Sequence, residues 1–86
     1  MFFVYFLRSR KNRKIYTGMT AKIPCERLKE HNLGSNKWTR KNGPFSLLYY
    51  EKYFCKADAM QRERFYKSGF GRKIRDSIIV ALTRFQ

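Results

Sequence analysis

Residues 2–18, FFVYFLRSRKNRKIYTG, read as two short apolar strands joined by a basic loop, and this stretch decides the fold. Apolar side chains fill both alternating sets of the first run, Phe3, Tyr5 and Leu7 on one side and Phe2, Val4 and Phe6 on the other. A strand covered on both faces has this pattern. The loop Ser9–Lys14 carries four positive charges, is expected to be exposed where it can meet phosphates, and holds Asn12, suited to a turn conformation. Ile15–Met19 predicts a second strand, stopped near Gly18, where a missing side chain lets backbone or ligand approach closely. Pairing the two as a hairpin brings the phenols of Tyr5 and Tyr16 together, although tyrosine is also an ordinary strand residue.

Working outward, Pro24 suits a first helical turn and Gly34 a helix end, so Pro24–Leu33 predicts a helix of under three turns. Cys25, Leu28 and Asn32 fall on one side of it. Arg27 and His31, four apart, sit together at the border of the apolar face, from which side chains can point into a cleft. The plain alternatives are a solvated arginine and a capping or core histidine near the helix C-terminus. Gly34–Pro44, GSNKWTRKNGP, is polar, basic and turn-rich and predicts a loop. Its Trp38, among Lys37, Arg40 and Lys41, either stacks on a base while the cations hold the backbone or folds back and packs.

Phe45–Phe54, FSLLYYEKYF, is the longest strand candidate and completes an antiparallel three-stranded sheet. Lys56–Ser68 has helical periodicity, with Asp58 in its first turn and Gly69 closing it. Its apolar stripe is Ala59, Met60 and Tyr66, and at 100° per residue Glu63 falls in the middle of that stripe. A carboxylate there is costly unless paired or bound to a cation. It reads as an internal ion pair with an arginine, a metal ligand, or a general acid or base. Ile74, Ile78, Ala81, Leu82 and Phe85 then give the face of a terminal packing helix. Arg72, Lys73 and Arg75 near its start lie where backbone N–H groups also favour anions.

The sequence has 86 residues, without repeats or a linker, and predicts a single domain over 1–86. The expected class is α+β, a three-stranded antiparallel sheet with about three flanking helices. Twenty Lys and Arg against six Asp and Glu give a net charge of +14, which calls for a polyanionic partner. Cys25 and Cys55 lack metal-ligand spacing and are read as buried small apolar residues in a reducing compartment. The apolar start ends at Arg8, too short to span a bilayer and without the marks of a leader, which predicts a cytoplasmic protein with no membrane partner.

Taken in order, VYFL, YTG, Arg-Leu-Lys-Glu-His, a basic loop ending in GP, and AMQRERFYKSG resemble the GIY-YIG nuclease superfamily over nearly the whole chain. The layout is similar to its small stand-alone, single-domain members and to the catalytic domains of excision-repair and some homing endonucleases. The resemblance implies catalytic roles for Tyr5, Tyr16, Arg27, His31 and Glu63, with Tyr16, Thr17 and Gly18 as the second motif and Glu63 as the metal ligand. Phe3 stands where the first motif has glycine, and the stretch from Gly18 to Arg27 is a residue longer than in many relatives.

The implied chemistry is phosphodiester hydrolysis with one divalent metal, magnesium or manganese, on nucleic acid, DNA favoured over RNA. The residue types suit it: a phenol of pKa about 10 serves as base only beside positive charge, and arginine presents a charged fork to phosphate. The expected nucleic-acid contacts are Lys14, Lys37, Trp38, Arg40, Lys41, Lys67, Arg72 and Lys73. One such site cuts one strand, so cutting both needs a dimer or two encounters, and the expected state is a monomer or weak homodimer. The competing class is a non-catalytic basic binding module of the same fold, which has no use for a buried carboxylate.

Overall fold

The structure is a computed structural model that describes residues 1–84. Strands β1 (Phe2–Ser9), β2 (Ile15–Thr20) and β3 (Phe45–Tyr53) form one antiparallel sheet in the order β2-β1-β3. Helices α1 (Pro24–Asn32) and α2 (Lys37–Asn42) lie between β2 and β3 in the chain. Helices α3 (Lys56–Lys67) and α4 (Gly69–Arg84) follow the sheet. The α+β class and the three antiparallel strands are as the sequence predicts.

β1 is the central strand, paired along both edges, and helices cover both of its faces. Val4 and Phe6 point into a cluster with Ala59, Tyr66 and Ile79, which places α3 and α4 on that face. Tyr5 and Leu7 point the other way, packing with Phe45, Tyr16, Leu28 and Leu47 under α1. Adjacent residues of one strand thus serve two layers. The even positions build most of the apolar core, and the odd ones build the site.

Among the described residues four helices flank the sheet, one more than expected. The extra one is α2, in the stretch predicted to be a loop. Asn36 caps it: its side chain accepts from the Thr39 N–H at 2.8 Å, while Thr39 Oγ1 accepts from the Asn36 N–H at 3.1 Å. This reciprocal box satisfies two donors that a short helix would otherwise leave open. Gly69 does not close α3. That helix stops at Ser68, extended at φ −76° and ψ 164°, and Gly69 opens α4. The corner depends on Gly71, where a Cβ would collide with the carbonyl of Phe65.

Two packing expectations need correction. Cys25 and Cys55 are both exposed, the first facing outward on the opening turn of α1 and the second just before α3. In α4, Ile74, Ile78 and Ile79 reach the Val4–Phe6 cluster, whereas Ala81 and Leu82 are exposed; Phe85 lies outside the described residues. The helix packs chiefly on α3, and its contacts with this core run from Ile74 to Ile79. Asn12 stands in the turn as expected, its Oδ1 accepting from the Lys14 N–H at 3.1 Å, and the residue after it, Arg13, takes the left-handed conformation at φ 63°.

Candidate active site

Strand register sets the first two groups. Tyr5 pairs with Gly18 and Leu7 with Tyr16, so the two tyrosines stand diagonally on one face with ring centroids 6.3 Å apart. Gly18 is required between them: a Cβ there would lie 2.6 Å from Tyr5 Cζ and 2.9 Å from Tyr16 Cε1. The expected close approach at this glycine is therefore one of tyrosine rings onto the strand backbone.

Helix α1 supplies the next two. His31 lies in the core, 0 % exposed, rather than at the border, and its ring packs on Tyr16 with centroids 4.8 Å apart. The Tyr5 hydroxyl is 2.8 Å from His31 Nε2. Burial, and then the nearby positive charge of Arg27, push the imidazole down to about 4, so it is neutral at pH 7. Tyr5 accordingly donates to Nε2, and the imidazole proton sits on Nδ1, 3.5 Å from Ser35 Oγ. Arg27 keeps the border place expected for it, half-buried and donating to Glu30 at 3.0 Å. Glu30 also pairs with Lys22.

The Tyr5 phenol is pushed well above its ordinary value. Burial is the largest cause, the Tyr16 phenol and the Glu63 carboxylate add to it, and Arg27 opposes them. One buried hydroxyl thus feels all three of the other ionisable groups that the sequence places at the site, in addition to its bond to His31. Glu63 acts on it although α3 is layered on the sheet face opposite to α1.

Glu63 itself is a correction. It is not at the centre of a buried face: its side chain is 24 % exposed and 3.6 Å from Lys67 Nζ. Ala59 and Tyr66 bear the packing of α3, and Glu63 stands about 60° round the helix from Tyr66. Lys67 carries the site onward, for with Ile15, Tyr16, Thr17, Trp38, Arg72 and Arg75 it lines a cleft of about 310 Å³. Its lining combines two aromatic rings, Tyr16 and Trp38, with three cations. Trp38 packs back on Tyr16 and Phe45, at centroid distances of 5.2 and 5.6 Å, yet stays 36 % exposed.

Among the expected nucleic-acid contacts, Trp38, Lys67 and Arg72 converge on this cleft, joined by Arg75. Lys14, Lys37, Arg40, Lys41 and Lys73 are exposed elsewhere, and the stem of Arg40 lies against Gly34. The first turn of α4 is not left open for an anion, since Ser68 Oγ already accepts from the Gly71 N–H at 3.1 Å.

Sequence reasoning missed the carboxylate that is tightly held, Glu51 of β3. It accepts from Tyr49 at 2.7 Å, Tyr53 at 2.6 Å, Arg62 at 3.0 Å and the Tyr66 hydroxyl. Burial pushes its pKa up, but hydrogen bonds from Tyr53, Tyr66, Tyr49 and Arg62 outweigh that and hold it below the usual carboxylate range. The signal was present in YYEKY, where Tyr49, Glu51 and Tyr53 share one strand face. With its oxygens occupied, Glu51 is a fastener between β3 and α3.

Among the described residues no three His, Cys, Asp or Glu side chains gather as a metal cage. Glu63 offers a partly exposed carboxylate whose charge acts on the Tyr5 phenol, with one lysine on it. One carboxylate fits a hydrated divalent ion that keeps most ligands as water and phosphate, and does not fit zinc or a calcium cage.

The GIY-YIG catalytic domain family matches residues 1–75. The chain belongs to the GIY-YIG family. Similar relatives of this GIY-YIG chain include a UPF0213 protein of Oceanobacillus iheyensis, 44 % identical over 71 % of this chain and 70 % of its own length. A UPF0213 protein of Clostridium perfringens is 40 % identical over 78 % of this chain and 71 % of its own length. No solved structure matches it. Membership places this GIY-YIG protein in a nuclease superfamily, whose substrates are nucleic acids.

Proposed function

We propose that this protein is a divalent-metal-dependent endonuclease that hydrolyses nucleic-acid phosphodiester bonds, DNA favoured over RNA, in repair or structure-specific processing. It works in the cytoplasm as one catalytic unit, a monomer or weak homodimer. The observation that carries this reading is the electrostatic setting of Tyr5: its hydroxyl bonds His31 and feels Tyr16, Arg27 and Glu63 together. The basic cleft beside Tyr16 suits a phosphate backbone. Among the described residues no helix is long and apolar enough to cross a membrane.

The two phenols have different work. Tyr5 is buried, its proton is held tightly and it donates to a neutral histidine, so it orients rather than abstracts. Tyr16 lines the cleft and, as its phenolate with the cleft's cations beside it, takes the proton of the attacking water at Oη and becomes the neutral phenol. Arg27, fixed by Glu30 and permanently charged, stabilises the negative charge that grows on the phosphate oxygens. Lys67, Arg72 and Arg75 hold the strand. Glu63 is the residue that would hold magnesium or manganese, with Lys67 giving way. Such an ion, when bound, neutralises a phosphate oxygen and the leaving 3′ oxygen.

The deciding experiment is cleavage of labelled single-stranded, duplex and flapped DNA and of RNA with magnesium, manganese or EDTA, for the native protein and Glu63→Gln. Metal-dependent cleavage lost in the variant, with binding retained, is the expected result. Binding by the native protein without cleavage of any substrate would leave a basic nucleic-acid-binding module.

A further inference from the structure

The basic loop between β1 and β2 does not stand free. Ser9, fully buried, donates to the Asn42 carbonyl, and its Oγ accepts from the N–H groups of Lys11 and Asn12, each at 3.1 Å. Asn12 Nδ2 donates to Asn42 Oδ1 at 2.7 Å, and Asn42 Nδ2 donates back to the Trp38 carbonyl at 2.8 Å. Lys11 Nζ reaches the Lys41 carbonyl at 3.3 Å. These bonds join the tip of a hairpin to the end of a helix thirty residues away in sequence, and Asn42 is the shared member.

The two elements joined in this way are both cationic. The loop presents Arg10, Lys11, Arg13 and Lys14, all exposed, and α2 adds Lys37 and Lys41. No Asp or Glu occurs in residues 1–25 or 31–50. Among the described residues none of these six cations pairs with a carboxylate. Like charges repel, so holding them in one fixed arrangement is unfavourable unless an anion of matching spacing is bound.

Taking the nuclease reading as its premise, we infer that the Ser9–Lys14 loop and α2, latched through Asn42, form a second contact surface, distinct from the cleft, that grips the phosphate backbone beyond the cut. Continuity fixes the occupant as nucleic acid. Trp38, at one end of α2, lines the cleft, while Asn42, at the other, holds the loop. A six-residue helix is about 9 Å long. That spans about three nucleotides at about 3.4 Å each along a strand, so the two contacts belong to one continuous substrate.

The test is binding of a DNA strand of about twelve nucleotides in EDTA, across salt concentrations, read by anisotropy. Three proteins are compared: the native chain, Lys11→Gln/Arg13→Gln/Lys14→Gln, and a control of equal charge loss on exposed lysines elsewhere, Lys29→Gln/Lys52→Gln/Lys56→Gln. The loop variant is expected to bind about tenfold or more weakly, with a log–log salt slope shallower by about two, and the control to change less than about threefold. Asn42→Ala, which removes no charge, should weaken binding several-fold provided its circular dichroism is native.

Equal losses in the two triple variants would overturn the inference, because net charge alone would then account for binding. So would loss of binding to phosphatidylserine vesicles in the loop variant with DNA affinity unchanged. The inference and its premise fail separately. Binding in this pattern without metal-dependent cleavage sinks only the nuclease reading, while cleavage with equal losses sinks only the second surface.

Discussion

Tyr5 donates its phenolic hydrogen bond to Nε2 of a buried, neutral His31 across 2.8 Å. A phenol engaged in this way is held still and kept protonated, which separates its role from that of Tyr16 in the cleft. Removing the Tyr16 hydroxyl should therefore cost more in rate than removing that of Tyr5. Single-turnover cleavage by Tyr16→Phe is expected to fall by about 10²–10⁴-fold with DNA affinity nearly unchanged, and by Tyr5→Phe substantially less. The opposite order would assign proton abstraction to Tyr5.

The same histidine links stability to pH. Its pKa falls from 6.5 to about 4 on folding, so between those values the unfolded chain binds a proton that the folded chain does not. The stability this gives is complete above pH 6.5 and is lost as pH falls toward about 4, on the order of 3 kcal/mol at about 1.4 kcal/mol per unit. Urea unfolding of the native protein and His31→Gln over that range should show the gap between them shrinking with acidity. A constant gap would mean that the imidazole titrates alike in both states.

Glu51 should matter to folding and not to chemistry. Glu51→Ala leaves Arg62 and three tyrosyl hydroxyls without their acceptor, and a loss of about 3 kcal/mol or more is expected in urea melts. Any cleavage by the folded variant should keep its dependence on metal concentration. A change in that dependence would show that Glu51 also positions Glu63.

Two glycines separate site from scaffold. Gly18→Ala drives a methyl group into the rings of Tyr5 and Tyr16, so rate should fall by about tenfold or more while much of the fold survives. Gly71→Ala meets rigid backbone at Phe65, and the α3–α4 corner has to open, with about 1–3 kcal/mol lost in thermal or urea unfolding. Comparable stability losses in both variants would contradict this division.

Most of the frame was legible because its signals are local or periodic. Two-sided hydrophobicity in FFVYFL marked a middle strand, and Gly18 marked close approach. Helix α2 escaped because its capping box uses threonine where glutamate or glutamine is the usual cue. The site residues could be named in advance, but their burial could not. A helical wheel put Glu63 in the core and His31 at the rim, and packing reversed the two. Which side of a nine-residue helix turns inward is decided by partners distant in sequence, here Tyr5, Tyr16 and Phe45 around His31. The latch at Asn42 was illegible for the same reason.

The middle position of β1 sets how this protein can vary. Neighbouring side chains there answer to opposite sides of the sheet, so adding or deleting a single residue between Phe2 and Leu7 would turn a phenol into the greasy layer and a valine or phenylalanine toward the substrate. A frame shift within the strand would therefore remove fold and catalysis together.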